Sequence, residues 1–124
     1  MEKKKILVVD DEEDLIKFVK VRLEANNYEV FFAYDGQEAL NVIDEVNPDL
    51  LILDIMLPKK NGYEVCEKLK KDPKYSHLPI LMLTAKDQQR DVDLAKEMGA
   101  DAFICKPFEA ELLLYDIKNL LHLS

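Results

Sequence analysis

Five short apolar runs that alternate with helical patterns restrict the fold more than any other feature of the sequence. The runs occupy residues 5–9, 28–34, 50–54, 80–84 and 102–105. Residues 50–53 and 80–83 are apolar without a break, which is typical of strands buried on both faces of a parallel sheet. Because strands that alternate with helices form βαβ units, we expect an α/β fold: a five-stranded parallel sheet, doubly wound as a (βα)5 three-layer sandwich.

Between and after these runs, apolar residues recur at helical spacing. Helices are predicted over residues 14–26, 37–46, 63–71, 87–98 and 109–121. Turn residues mark their ends: Asn47 and Pro48 stop the second helix, and Gly99 follows the fourth, where a left-handed residue is expected. No linker interrupts the pattern, and 124 residues with 48% hydrophobic side chains suit one domain over residues 1–124.

The charge balance excludes some functions. A net charge of −8 argues against direct nucleic-acid binding, which needs clustered Lys and Arg, and favours a metal cation or a basic partner surface. No apolar stretch approaches the ~20 residues of a membrane span, and the N-terminus does not resemble a signal peptide, so we expect a cytoplasmic protein without membrane contact. Cys66 and Cys105 lack metal-ligand spacing, and we expect two reduced, packed thiols.

Polar side chains follow four of the predicted strands, at the point where each strand ends. They are Asp10 and Asp11, Asp54, Thr84, and Lys106 with Pro107. Because ligands of open parallel sheets bind at the carboxyl ends of the strands, we expect these side chains to converge. Three clustered carboxylates require a cation, and oxygen ligands favour Mg²⁺, with Mn²⁺ as an alternative. An Asp nucleophile, a metal ion, a lysine and a hydroxyl are the equipment of phosphoryl transfer.

Other interpretations of the same residues are open. Residues 10–14 would also suit a helix N-terminus, Thr84 a β-branched strand end, and Lys106 a surface lysine. A phosphatase of the haloacid-dehalogenase type uses a similar set, but it needs a second Asp two residues after the nucleophile, where Met56 stands. A flavodoxin-like FMN carrier needs a phosphate-binding loop after the first strand, where Asp10 and Asp11 would repel a phosphate.

The combined set, Asp10-Asp11, Asp54, Thr84-Ala85 and Lys106-Pro107, resembles the receiver domain of two-component response regulators across the whole chain. The resemblance, to single-domain chemotaxis-regulator-like proteins, implies the flavodoxin-like strand order 2-1-3-4-5. It also implies that Asp54 accepts a phosphoryl group from the phosphohistidine of a sensor histidine kinase or phosphotransfer protein, or from a small donor such as acetyl phosphate. The chain would then not be an enzyme beyond its own phosphorylation and dephosphorylation.

The resemblance also implies roles for individual residues. Mg²⁺ would be bound by Asp11, Asp54 and the main-chain carbonyl of Met56, with Asp10 acting through a water molecule. The phosphoryl oxygens would contact Lys106, the Thr84 hydroxyl and the Ala85 amide. The Lys106–Pro107 peptide bond would be cis, and Thr84 and Phe103 would form the switch.

The resemblance implies an output partner as well. A downstream protein would bind the switched surface, or an effector domain would be absent or lost, since nothing follows the last predicted helix. Some transcription regulators of this family dimerise through a charged set near the C-terminus. Residues 101–103 and 113–115 lack its acidic and basic members, so we expect a monomer or a weak dimer.

Overall fold

The computed structural model, which describes residues 3–59, 61–85, 93 and 96–123, has strands at all five predicted positions. The strands are β1 (Lys5–Val9), β2 (Glu29–Ala33), β3 (Leu50–Asp54), β4 (Ile80–Ala85) and β5 (Ala102–Lys106). The helices are α1 (Glu13–Ala25), α2 (Gly36–Val46), α3 (Gly62–Lys71) and a C-terminal helix (Ala110–Leu123). The helix predicted over residues 87–98 lies largely outside the described residues, although Asp93, Lys96 and Glu97 have helical backbone.

The strands form one parallel sheet in the order β2-β1-β3-β4-β5, as the resemblance implied. The register pairs Val9 with Leu53, Asp54 with Leu83, and Ala85 with Lys106. The residues that follow β1 therefore lie beside the end of β3, and the end of β5 lies beside the end of β4. This arrangement brings the predicted polar residues to one edge, and β2 lies at the margin of the sheet.

Each face of the sheet packs against its own layer of helices. Ile16, Val19 and Leu23 of α1 join Leu113 and Ile117 of the C-terminal helix in one cluster. The other cluster contains residues of α2 and α3, namely Ala39, Ile43, Val65, Cys66 and Leu69. Burial of each such large aliphatic side chain contributes roughly 1.5–3 kcal/mol relative to leaving it in water. The three-layer sandwich therefore has two apolar cores, one on each side of the sheet.

Local hydrogen bonds explain where the helices begin. The Asp35 carboxylate accepts a bond from the Glu38 N–H (2.7 Å), and the Glu38 carboxylate accepts one from the Tyr34 N–H (2.7 Å). Asp35 is therefore the N-cap of α2, the Glu38 carboxylate binds the chain one residue before the cap, and Asn61 caps α3 through the Glu64 N–H. Gly99 has a φ of +95°, as predicted for a residue that follows a helix.

The two cysteines differ in their surroundings. Both are free thiols, but Cys66 is buried and Cys105 is exposed. The prediction of a packed thiol is therefore right for Cys66 and wrong for Cys105, which lies on the edge strand β5. In the part of the chain that the structure describes, no helix has the length and apolar character needed to cross a membrane.

Gly62 lets α3 begin directly against the end of β3. Its N–H donates to the Ile55 carbonyl (2.9 Å). A Cβ at this position would lie 2.4 Å from the Asp54 carbonyl oxygen and 2.8 Å from the Ile55 Cα, closer than real Cβ atoms approach backbone. Only glycine fits at this position, because it has no Cβ. The close packing of α3 against the Asp54 backbone therefore requires glycine at residue 62.

We expect Gly62→Ala to lower the free energy of unfolding by about 1–3 kcal/mol, because the added methyl group must push α3 away from the end of β3. Urea unfolding measures this loss. Lys68→Ala is the matched control, since Lys68 is exposed on the same helix, and its effect should stay within about 0.5 kcal/mol. Equal effects of the two substitutions would show that the approach of Gly62 does not constrain the fold.

Candidate functional site

Three carboxylates meet at the edge of the sheet where β1 and β3 end. Asp10, Asp11 and Asp54 each place an oxygen atom within 4.8 Å of the others. Asp10 is fully buried, Asp54 is 6% exposed, and Asp11 is exposed. The Asp10 N–H donates to the Ala33 carbonyl of the neighbouring strand (3.1 Å), which fixes the backbone from which Asp10 projects. The predicted convergence of these three residues is therefore present in the structure.

Lys106 supplies a positive charge to this cluster from the end of β5. Its Nζ lies 2.8 Å from Asp10 Oδ2 and 3.0 Å from Asp54 Oδ2. A third carboxylate, Glu12 Oε1, lies 3.2 Å away. The Lys106–Pro107 peptide bond is cis. The ammonium group thus lies between acids from two different strand ends, and Glu12 is a partner that the sequence did not suggest.

Burial and charge shift the ionisation of both central groups. Burial raises the pKa of the Asp54 carboxyl to about 6, although Lys106 and the Met56 N–H act to lower it, and the Asp10 charge raises it further. For Lys106, burial alone would lower the pKa, but the hydrogen bond to Asp54 and the negative charges of Asp10 and Asp54 outweigh burial and hold the pKa above its usual value. Lys106 is therefore an ammonium ion at neutral pH.

The cluster has the donor set of a divalent hard cation. Asp10 Oδ2 is buried and makes no hydrogen bond of good geometry with any described residue, so its contact with Lys106 is an ion pair. Within the described residues, the ammonium group of Lys106 alone does not neutralise three clustered carboxylates together with Glu12. Carboxylate oxygens in such a group are the ligands that Mg²⁺ and Mn²⁺ prefer. The residues present therefore fit the ion that the sequence predicts.

The backbone after Asp54 folds around its carboxylate. The Met56 N–H donates to Asp54 Oδ1 (3.1 Å), while Lys106 occupies Oδ2. The Met56 side chain is 70% exposed, so the position two residues after Asp54 presents an apolar group to solvent. No carboxylate stands there that could serve as the acid or base of a phosphatase.

The predicted switch residues lie on the neighbouring strands. Thr84 is 1% exposed, and its hydroxyl donates to Cys105 Sγ (3.5 Å). Ala85 ends β4 and is paired with Lys106. Phe103 is partly buried against the cluster that α2 and α3 form, and the Lys96 ammonium lies 5.6 Å from the centre of its ring. The hydroxyl of Thr84 is thus engaged with sulfur rather than with Asp54.

An apolar groove adjoins the carboxylate cluster. Phe18 of α1 and Phe108 pack edge to face, with ring centres 6.4 Å apart. The groove has a volume of about 580 Å³ and is lined by Glu12, Asp14, Leu15, Phe18, Lys106, Pro107 and Phe108. Glu12 and Lys106 line this groove and also form an ion pair with each other, and Lys106 forms a second ion pair with Asp54. The groove therefore leads to Asp54.

Sequence reasoning missed three residues of this region. Glu12 and Cys105 were not assigned a role, and Gly62 was not recognised as a packing constraint. A signal existed for Glu12, since it lies two residues after Asp10, and its N–H donates to Asp10 Oδ1 (2.8 Å). The contact of Cys105 with Thr84 depends on the register between β4 and β5. This register cannot be derived from the sequence.

Comparisons with known proteins identify what the chain is similar to. The family model described as "Response regulator receiver domain" matches residues 6–118. The alkaline phosphatase synthesis transcriptional regulatory protein PhoP of Bacillus subtilis (strain 168) is 46% identical over 121 residues, which cover 98% of this chain and 50% of that protein. The chain therefore spans half the length of this relative.

Solved structures agree with this match. A protein described as a response regulator from Chloroflexus aurantiacus J-10-fl superposes with a TM-score of 0.94 at 38% identity, covering 97% of this chain and 98% of that one. The chemotaxis response regulator CheY4 of Vibrio cholerae has a TM-score of 0.89 at 32% identity, covering 95% of this chain and 98% of that one.

The raised pKa of Asp54 predicts a specific dependence of stability on pH. The folded value of about 6 lies above that of an unfolded Asp. The stability that this carboxyl contributes is therefore present below about pH 4 and is lost as the pH rises through about 6. Asp54→Asn should remove this loss, so the variant should gain about 1–3 kcal/mol relative to wild type between pH 4.5 and pH 7.

Urea unfolding in EDTA-containing buffer across this pH range tests the prediction. Glu24→Gln is the control, because Glu24 is exposed on α1, and its curve should run parallel to that of wild type. A difference between Asp54→Asn and wild type that stays constant across the range would contradict the assignment of this pKa.

Proposed function

The chain belongs to the response regulator receiver domain family, and from that membership we propose that Asp54 is the residue that accepts the phosphoryl group. The role of the chain is that of a phospho-accepting signalling domain of a two-component system. We propose that residues 1–124 form one such domain. The observation that carries the assignment is the position of the Asp54 carboxylate, 3.0 Å from Lys106 Nζ and clustered with Asp10 and Asp11.

The proposed donor is the phosphohistidine of a sensor histidine kinase or phosphotransfer protein, or a small donor such as acetyl phosphate. An Asp54 oxygen attacks phosphorus, the P–N bond of phosphohistidine breaks, and its electron pair stays on the imidazole nitrogen. Lys106 stabilises negative charge on the transferred group, because its ammonium is already fixed beside the attacking carboxylate. The Thr84 hydroxyl and the Ala85 amide would bind the remaining oxygens.

Asp11, Asp54 and the Met56 carbonyl would hold Mg²⁺ or Mn²⁺, with Asp10 acting through water. When bound, the ion neutralises charge on the phosphoryl oxygens. The oxygen donors and the excess negative charge of the cluster support this role. Turnover of external phosphomonoesters is not proposed, because exposed Met56 replaces the second Asp of that chemistry, and FMN binding is disfavoured by Asp10 and Asp11.

We propose that the donor protein docks on the groove between α1 and the segment after β5. The donor histidine must approach Asp54, and the groove leads there through Glu12 and Lys106. Phe18 and Leu15 offer apolar contact area to a helix of the partner, while Glu12 and Asp14 offer negative charge at its margin. The proposed location is the cytoplasm, where acetyl phosphate and kinase domains that use ATP occur.

Output is proposed to follow from a shift of Thr84 and Phe103 toward a phosphorylated state that a downstream partner prefers. The relative PhoP is named a transcriptional regulatory protein, and this chain spans half its length. We therefore propose that the output belongs to a separate protein or to a further region of a longer chain, and that this domain binds no nucleic acid itself.

Intact mass after incubation with acetyl phosphate and Mg²⁺ tests the acceptor directly. Wild type should gain one phosphoryl group, and EDTA should prevent the gain. Asp54→Asn should gain none, because the amide lacks a nucleophilic oxygen. Asp11→Ala should slow labelling by about tenfold or more, since a metal ligand is lost. Undiminished labelling of Asp54→Asn would place the acceptor elsewhere.

Two donors separate docking from chemistry. The first donor is a phosphorylated histidine kinase that labels the wild-type protein. Phe18→Ala should slow transfer from this kinase about fivefold or more, because an apolar anchor of the groove is lost. Its labelling by acetyl phosphate should stay within about twofold of wild type. Val21→Ala is the control, since Val21 is 63% exposed on the same helix but does not line the groove. Equal slowing by both variants would place the docking surface elsewhere.

A further inference from the structure

The contact between Thr84 and Cys105 connects β4 with the edge strand β5 near the carboxyl ends of the strands, where the carboxylate cluster lies. The register pairs these residues directly across β4 and β5, so their side chains project from the same face. Thr84 Oγ1 lies 3.5 Å from Cys105 Sγ, and the hydroxyl donates to the sulfur. The residue after Cys105 is Lys106, which holds Asp54. The contact therefore lies one residue away from the ion-pair network.

Because Thr84 is buried, the acceptor of its hydroxyl hydrogen bond affects which rotamer the side chain adopts. Its side chain is almost completely buried, and a buried hydroxyl without an acceptor is destabilising. The sulfur atom therefore stabilises the rotamer that points toward β5. Because Asp54 is paired with Leu83, the residue before Thr84, the same hydroxyl can reach a group on Asp54 only by turning away from Cys105.

We propose that Cys105 is a positioning residue that holds the Thr84 hydroxyl away from Asp54 in the unphosphorylated protein. The proposal rests on the assignment of Asp54 as the acceptor. Thiol sulfur is a weak acceptor, whereas a phosphoryl oxygen is charged and forms shorter, stronger hydrogen bonds. The sulfur contact is therefore strong enough to bias the resting rotamer and weak enough to break on phosphorylation. The Cys105 contact therefore sets the fraction of unphosphorylated protein in which the Thr84 hydroxyl already points toward Asp54.

Replacement of the acceptor should shift this population. Cys105→Ala removes the sulfur, and Cys105→Ser keeps an acceptor atom at the same branch of the side chain. Beryllofluoride in the presence of Mg²⁺ serves as the phosphoryl mimic, and its apparent dissociation constant is measured by NMR titration. We expect Cys105→Ala to bind it about two- to fivefold more tightly than wild type, and Cys105→Ser to lie closer to wild type than Cys105→Ala does.

The same pair of substitutions in a Thr84→Ala background separates positioning from a general effect on the strand. Without the hydroxyl, Cys105→Ala and Cys105→Ser should bind beryllofluoride equally well. Urea unfolding midpoints of all variants check that the sheet is intact. An unchanged affinity of Cys105→Ala in the Thr84 background would overturn the proposal, as would an equal change in both backgrounds.

A second measurement needs no phosphoryl mimic. The χ1 rotamer of Thr84, read from three-bond NMR couplings in metal-free protein, should move away from its wild-type value in Cys105→Ala and stay near it in Cys105→Ser. If Asp54 is not the acceptor, beryllofluoride will fail to bind any variant while this rotamer shift persists. A Thr84 rotamer that is the same in wild type and Cys105→Ala would overturn the role of Cys105 regardless of the acceptor.

Discussion

The ion pairs of Lys106 with Asp10 and Asp54 are the interaction on which the site depends. Two carboxylates are buried at the ends of adjacent strands, and an unpaired charge in such a place costs several kcal/mol. The strand order makes this burial unavoidable, because β1 and β3 are neighbours, Asp10 directly follows β1, and Asp54 is the last residue of β3. Lys106 comes from β5, so the sheet must be complete before the charges are compensated. Stability of the fold and the proposed reactivity of Asp54 are thus coupled through the ammonium group of Lys106.

Rigid and adjustable parts of the site are clearly divided. The backbone that carries Asp54 is fixed by a fully buried strand and by the close approach of Gly62, and the Met56 N–H holds the carboxylate. The Thr84 hydroxyl, by contrast, donates to a weak sulfur acceptor at 3.5 Å in the described part of the chain. To convert a 1:99 equilibrium to 99:1 takes about 5.5 kcal/mol, which two or three charge-assisted hydrogen bonds of about 1.5–3 kcal/mol each supply. The charge that phosphorylation is proposed to add at Asp54 would therefore act on side chains, because the backbone of β3 is fixed by its burial and by Gly62.

The sequence predicts the elements well because the central strands β1, β3 and β4 bury nearly all of their described side chains on both faces and therefore read as near-continuous apolar runs. The run 50–54 can only be a central strand, and polar residues at four strand ends indicate the site. Strand order could not be derived from spacing, because it depends on tertiary packing, and it came from the resemblance. The exposure of Cys105 and the partnership of Glu12 with Lys106 were missed for a related reason: register and side-chain direction between distant segments decide them. The close approach of Gly62 was missed because it is a contact between the first residue of α3 and the backbone at the end of β3, and a tertiary contact of this kind leaves no periodic signal.

The alternation of side chains along β5 places the proposed input surface and the proposed switch on opposite faces of the sheet. Ala102 and Ile104 face the cluster that α1 and the C-terminal helix form, and Lys106 continues that face toward Glu12. Phe103 faces the opposite cluster, and Cys105 continues that opposite face toward Thr84. The proposed donor groove lies on the first side, and the proposed switch lies on the second. A donor protein can therefore occupy the groove while the switch remains open to a partner. The two processes meet only at Asp54 and Lys106, at the end of the sheet that both faces share.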